Sequence, residues 1–121
     1  MVIPRGMGRP GTGIMIRDYL RNHPVAYVMQ IWREGVVEPC KEQGFKYPCW
    51  ADFCNYFSKV KKCGLVLFDH YEEGEDLTGS EEIGVTRRKF YRLNLGMDPA
   101  LAERAWNNPI EYLYGYQRRN R

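Results

Sequence analysis

The stretch FSKVKKCGLVLF, residues 57–68, allows this chain few architectures. Phe57 and Val60 finish an apolar stripe at helical spacing, Gly64 supplies the left-handed residue that closes a helix, and an apolar run follows at once. That run, Leu65 to Tyr71, reads as a strand. A chain that turns straight out of a helix into a strand is α+β.

Proline and glycine punctuate the rest. Thr12 is placed to N-cap a first helix through Ile16, Tyr19 and Leu20, which the pair His23-Pro24 ends. Pro24 then suits the first position of a second helix, in which Val25, Val28, Met29 and Trp32 share one face. Pro39 predicts a kink or break in its continuation, and Gly44 a stop. Tyr47-Pro48 opens a third helix. Trp50, Phe53, Cys54, Phe57 and Val60 form its apolar stripe, and Asp52, Asn55, Tyr56, Lys59 and Lys62 the opposite one. A second strand covers residues 89–95, where Tyr91, Leu93 and Leu95 alternate with Phe90, Arg92 and Asn94. Between the strands lies a long, acidic, glycine-containing segment, which reads as a flap projecting from a sheet. Asp98-Pro99 starts a further helix with Leu101, Ala102, Ala105 and Trp106, and Pro109 a short last one carrying Ile110, Tyr112 and Leu113.

A chain of 121 residues is the size of one domain. It has no apolar window of membrane-spanning length, and its first residues, MVIPRGMGRPGTG, lack the apolar stretch of a signal peptide, so it reads as a soluble cytoplasmic protein. A net charge of +3 does not by itself indicate a polyanion partner, but the charges are segregated. Asp69, Glu72, Glu73, Glu75, Asp76, Glu81 and Glu82 occur without an intervening Lys or Arg, and Arg87, Arg88, Lys89 and Arg92 follow. Cys40, Cys49, Cys54 and Cys63 contain no close pair of the kind zinc sites use. Buried free thiols are the plain reading, a disulfide or a metal the alternatives. His23 and His70 have no Ser, Cys or carboxylate at a spacing that builds a catalytic unit, and no phosphate loop, dinucleotide fingerprint or calcium loop occurs. The chain therefore reads as a non-enzyme that needs no cofactor and no metal.

The order helix, helix, helix, strand, flap, strand is similar to that of the winged helix-turn-helix superfamily, and NYFSKVKKCGLV resembles the end of its recognition helix and the start of its first wing strand. More closely, GRPGTGIMIRDYLRNHPVAYVMQIWREG followed by YPCWADFCNYFSKVKKCGLV resembles small winged-helix proteins of archaea and of archaeal viruses and plasmids. The resemblance implies a flexible basic arm at 1–11, a winged domain at 12–96 with a three-helix core and a two-stranded antiparallel wing, and a helical extension with a basic tail at 97–121. It also implies sequence-specific binding of double-stranded DNA, in the service of transcription regulation, by the helix at about 48–63 lying in the major groove. Carried over by position, Lys46, Tyr47, Ala51, Asp52, Asn55, Tyr56, Lys59 and Lys62 face the groove, and Arg87, Arg88 and Lys89 meet the DNA backbone from the base of the wing. Arg5 and Arg9, in PRGMGRP, are candidates for a minor-groove arm. Acid at the wing tip departs from the pattern, because acid beside phosphate is repulsive, so the tip is expected to avoid DNA or to meet a basic protein partner. Leu101, Trp106, Ile110, Tyr112 and Leu113 offer more apolar surface than two short helices readily bury, which predicts a homodimer. The alternative function is a protein-interaction module that uses the acidic wing and the last helices.

Overall fold

The computed structural model describes residues 10–73 and 87–119, with the side chains of residues 87 and 116–119 excluded. The basic arm with Arg5 and Arg9, the acidic tip from Gly74 to Thr86, the Arg87 side chain and the end of the basic tail lie outside the described residues. Helix α1 (Thr12–Asn22) leads through a two-residue strand β1 (Ala26–Tyr27) to a long helix α2, made of three consecutive segments, Val28–Gln30, Ile31–Val37 and Glu38–Gln43. Then come α3 (Trp50–Lys62), β2 (Val66–Glu73), β3 (Arg87–Leu93), α4 (Pro99–Asn107) and α5 (Pro109–Arg119). Among the described residues this is an α+β arrangement of five helices and one antiparallel sheet in the order β1-β3-β2.

The strands expected at 65–71 and 89–95 are present as an antiparallel pair displaced by up to two residues, from Val66↔Leu93 to Glu73↔Arg87, with an irregularity between Phe68 and His70; Asn94 and Leu95, expected in the second strand, lie outside it. Gly64 closes α3 at φ 78° and Gly44 closes α2 at φ 74°, both in the left-handed region. Asp98 caps α4, its carboxylate accepting from the Leu101 amide at 3.1 Å, and Pro99 takes the first helical position.

Four local expectations fail, three of them for a tertiary reason. The first helix is entered from Gly11, with no side-chain cap, and Thr12 is already helical. Pro24 does not start the second helix: Ala26 and Tyr27 are drawn into the sheet opposite Tyr91 and Phe90, and Tyr27 remains extended before Val28. The buried Ala26 decides this, because its backbone satisfies β3 while its methyl enters the core. In place of a break near Pro39, the preceding turns widen into a π-helical segment, Ile31–Val37, and Glu38 N–H donates back to the Arg33 carbonyl. Within it Gly35 lets α1 approach, since a Cβ there would lie 2.9 Å from Cβ of Tyr19. Helix α3 begins at Trp50 rather than at Pro48, because Trp32 Nε1 donates to the Pro48 carbonyl at 3.0 Å and holds the connection outside the helix.

One core serves the whole described chain. Met15, Ile16 and Leu20 of α1, Ile31, Val36 and Cys40 of α2, Phe53, Phe57 and Val60 of α3, and Tyr91 of β3 form a cluster that also includes Ala105 and Trp106 of α4. The segment read as an extension is thus part of the packed body. A Cβ on Gly13 would meet the Trp106 carbonyl oxygen at 2.3 Å, so the close approach of α4 to α1 needs glycine there. The expected dimer face is corrected accordingly: Trp106 is 4 % exposed and Tyr112 packs on the core, while Leu101 and Ile110 remain outside. All four cysteines are free, Cys40 buried, Cys49 exposed, and Cys54 and Cys63 between, the last two with thiol pKa raised by burial.

Candidate nucleic-acid interface

Helix α3 buries Phe53, Phe57 and Val60 and leaves Trp50 half-buried, so the surface opposite them is its outward face. Ala51, Asn55 and Lys62 lie there, all exposed, with half-buried Ser58 completing the line at helical spacing. Asp52 is exposed beside it.

Two of the expected groove residues turn sideways. The Tyr56 hydroxyl accepts from the Gly13 amide at 3.0 Å, which makes it a brace for the first turn of α1, where backbone donors lack helical partners. Lys59 Nζ lies 5.6 Å from the Tyr114 ring centroid, on α5. A hydrogen bond from Lys59, then its charge, holds the Tyr114 phenol below its usual pKa. Cys63 Sγ donates to the Pro109 carbonyl on the same flank. Position on α3 explains this: Tyr56, Lys59 and Cys63 share the flank that α5 and the start of α1 cover. Lys46 and Tyr47 stand ahead of the helix, exposed, with Lys41 Nζ 5.9 Å from the Tyr47 ring.

The hairpin places its charges on two faces. On the face away from the core, Arg92 Nε pairs with Asp69 at 3.1 Å, and His70 sits between Asp69 and Glu72 while stacking on Phe90. Hydrogen bonds to Glu72, then Asp69, raise the His70 pKa. Arg88 is opposite Glu72 and lies 4.9 Å from the Tyr27 ring. Lys89, opposite Tyr71, belongs to the other face, the one that continues from buried Tyr91. Arg88 and Lys89, expected to act together at the base of the wing, therefore face opposite ways.

Lys61 was missed as a candidate. Its ammonium lies 5.5 Å from the Tyr91 ring and 5.9 Å from Phe57, bridging α3 and β3. The usable signal was its spacing four residues after Phe57, which places it at the edge of the apolar stripe. Ser58 had none, being a small polar residue whose position matters only once the flanks are occupied.

Among the described residues no group of His, Cys, Asp and Glu could hold a metal ion, and no helix is long and apolar enough to cross a membrane. Comparison with protein-family models, curated proteins and solved structures gives no match. The outward line of α3, flanked by lysines and by the hairpin, is the candidate site on geometry alone.

Proposed function

We propose that this chain is a winged helix-turn-helix protein that binds double-stranded DNA sequence-specifically and acts in transcription regulation, with the outward line of α3 in the major groove. The observation that carries the reading is β1. This short strand between the first and second helices is hydrogen-bonded to β3, so that the sheet runs β1-β3-β2 and ties the helices to the hairpin that would be the wing. That arrangement leaves Asn55 and Lys62 exposed on a helix narrow enough for a groove about 12 Å wide. Asn55 is the base reader, through the bidentate contact its amide makes with adenine, and Lys62 the phosphate contact. Leu101 and Ile110, still exposed on α4 and α5, are where a second copy would dock to double the contact area.

A protein-interaction reading has one observation of its own. A groove of about 500 Å³ between α1 and the end of β3 is lined by Leu20, Val25, Leu93 and Leu95, and Leu95 is 88 % exposed. An apolar residue so open at the mouth of an apolar groove suits a protein partner.

Selection of bound duplexes from a random pool, followed by anisotropy titrations of wild type and Asn55→Ala, tests the DNA reading. The variant is expected to lose about 1–3 kcal/mol of discrimination at one base pair while keeping its affinity for random duplex. Equal sequence preference in both proteins, or no enrichment from the pool, would transfer the assignment to the protein-interaction reading.

A further inference from the structure

The hairpin face that continues from the core carries two aromatic rings that the fold does not bury. Phe68 is 46 % and Tyr71 50 % exposed, and their centroids lie 4.7 Å apart with planes tilted by 57°. Behind them Tyr91 is buried edge-on to Phe68 at 6.2 Å, which supports the exposed pair from the core. The two rings flank one another at the surface.

Two lysines edge the pair. Lys61 reaches over Tyr91 from α3, and Lys89 stands directly across from Tyr71. The neighbouring acids Asp69 and Glu72 project to the other face, where Arg92 and His70 take up the first and His70 the second. Glu73, one step nearer the tip and exposed, shares the face of the rings, since side chains alternate along β2. Exposed rings edged by lysines, with Asp69 and Glu72 turned away and paired, match the chemistry of an unpaired nucleotide, which offers a π face and a phosphate.

We propose that this face, Phe68 and Tyr71 with Lys61 and Lys89, is a platform for single-stranded DNA: unpaired bases stack on the two rings and the two ammonium groups meet the phosphates. The hairpin geometry stands without the duplex reading, but the choice of DNA over RNA rests on it, since α3 carries both Lys61 and the outward line.

The test is anisotropy of a fluorescent oligo(dT) against the full-length protein. The double variant Phe68→Leu with Tyr71→Leu keeps apolar bulk but removes both π faces, and is expected to weaken binding about tenfold or more. Phe68→Trp is expected to bind as wild type. Asn55→Ala, which touches only the outward line of α3, should leave oligo(dT) binding unchanged, so failure of the duplex reading and failure of this one appear in different variants. Lys89→Ala removes no packing ring and should flatten the salt dependence by about 0.7 in log–log slope, one phosphate contact to a single strand, which keeps the proposal testable if the leucine variant does not fold. Oligo(dT) affinity untouched in the leucine variant overturns the proposal, as does absence of oligo(dT) binding. A leucine variant that changes only the oligomeric state would make the face a subunit contact, and tighter binding of oligo(rU) than of oligo(dT) would overturn the choice of DNA.

Discussion

Helix α3 and the β2–β3 hairpin both carry clustered basic residues, yet they dispose of them differently. Of the described hairpin arginines, Arg92 pairs with Asp69, while Arg88 lies in register with Glu72 and 4.9 Å from the Tyr27 ring. The lysines of α3 meet aromatic rings instead, Lys59 on Tyr114 and Lys61 on Tyr91 and Phe57, while Lys62 is exposed. A cation beside a carboxylate presents little net field to a third group, whereas a cation over a ring keeps its charge while losing some of its freedom. Counting basic residues along the chain therefore overstates what the hairpin offers a phosphate and understates what α3 offers. Arg92 is a structural partner of the acidic strand, and Lys61 is a cation that a reading of the hairpin alone leaves out.

The largest expected effect comes from the ring that helix and hairpin share. Phe57 is buried, stands edge-on to Tyr91 at 5.2 Å and underlies Lys61. Phe57→Ala is expected to cost about 3–5 kcal/mol in urea unfolding. A loss below about 1 kcal/mol would mean that α3 and β3 are not packed through this ring, and the contrast drawn between them would have no structural basis.

A smaller effect separates the two kinds of cation directly. With duplex DNA, Lys62→Ala should reduce the slope of log K against log salt by about 0.9, one phosphate contact, whereas Arg92→Ala should leave it unchanged because its partner is Asp69. Titrations at several salt concentrations decide it; an Arg92 variant that flattens the slope as much as the Lys62 variant would erase the distinction.

The smallest effect sharpens the hairpin side. His70 is exposed, flanked by Asp69 and Glu72 and with Arg92 on the shared Asp69, and its folded-state pKa is raised by the two carboxylates. A raised pKa means that protonated His70 adds stability which is complete below its unfolded value, about 6.5, and disappears as pH rises through the higher folded value. The urea midpoint should therefore fall slightly as pH climbs from below about 6.5, and His70→Gln should remove that slope. An NMR titration of His70 at or below the unfolded value would show that the carboxylates do not hold it.

How much of the arrangement was legible depended on whether the deciding interaction lay within a few residues. Gly44 and Gly64, the Asp98-Pro99 start and the apolar stripe of α3 are local: a left-handed φ, a side-chain cap and a helical period are properties of short segments, and each is where the residues put it. The hairpin pairing follows from an apolar run and an apolar-alternating one that have only each other to bond with over most of their length. Of the candidate site, the core stripe of α3 and the exposure of Asn55 and Lys62 came from that same period, whereas Ala51 was placed there by the resemblance alone.

What distant residues decide was out of reach. Ala26 and Tyr27 form a strand because β3 passes beside them, although their own spacing fits a helix equally well. The turns before Pro39 widen rather than break where Ile31–Val37 is packed on α1 through Gly35. Tyr56 and Lys59 share a polar stripe with Asn55 in sequence, yet α1 and α5 claim them, so the face left to a ligand is narrower than the stripe. The sequence by itself determined the helices, the hairpin and the two sides of α3, because backbone conformation and amphipathic period are set over one or two turns. Only the tertiary structure decided which polar residues remain available, because a side chain 40 or more residues away, as Tyr56 is from Gly13, can satisfy a hydrogen bond that no local pattern announces.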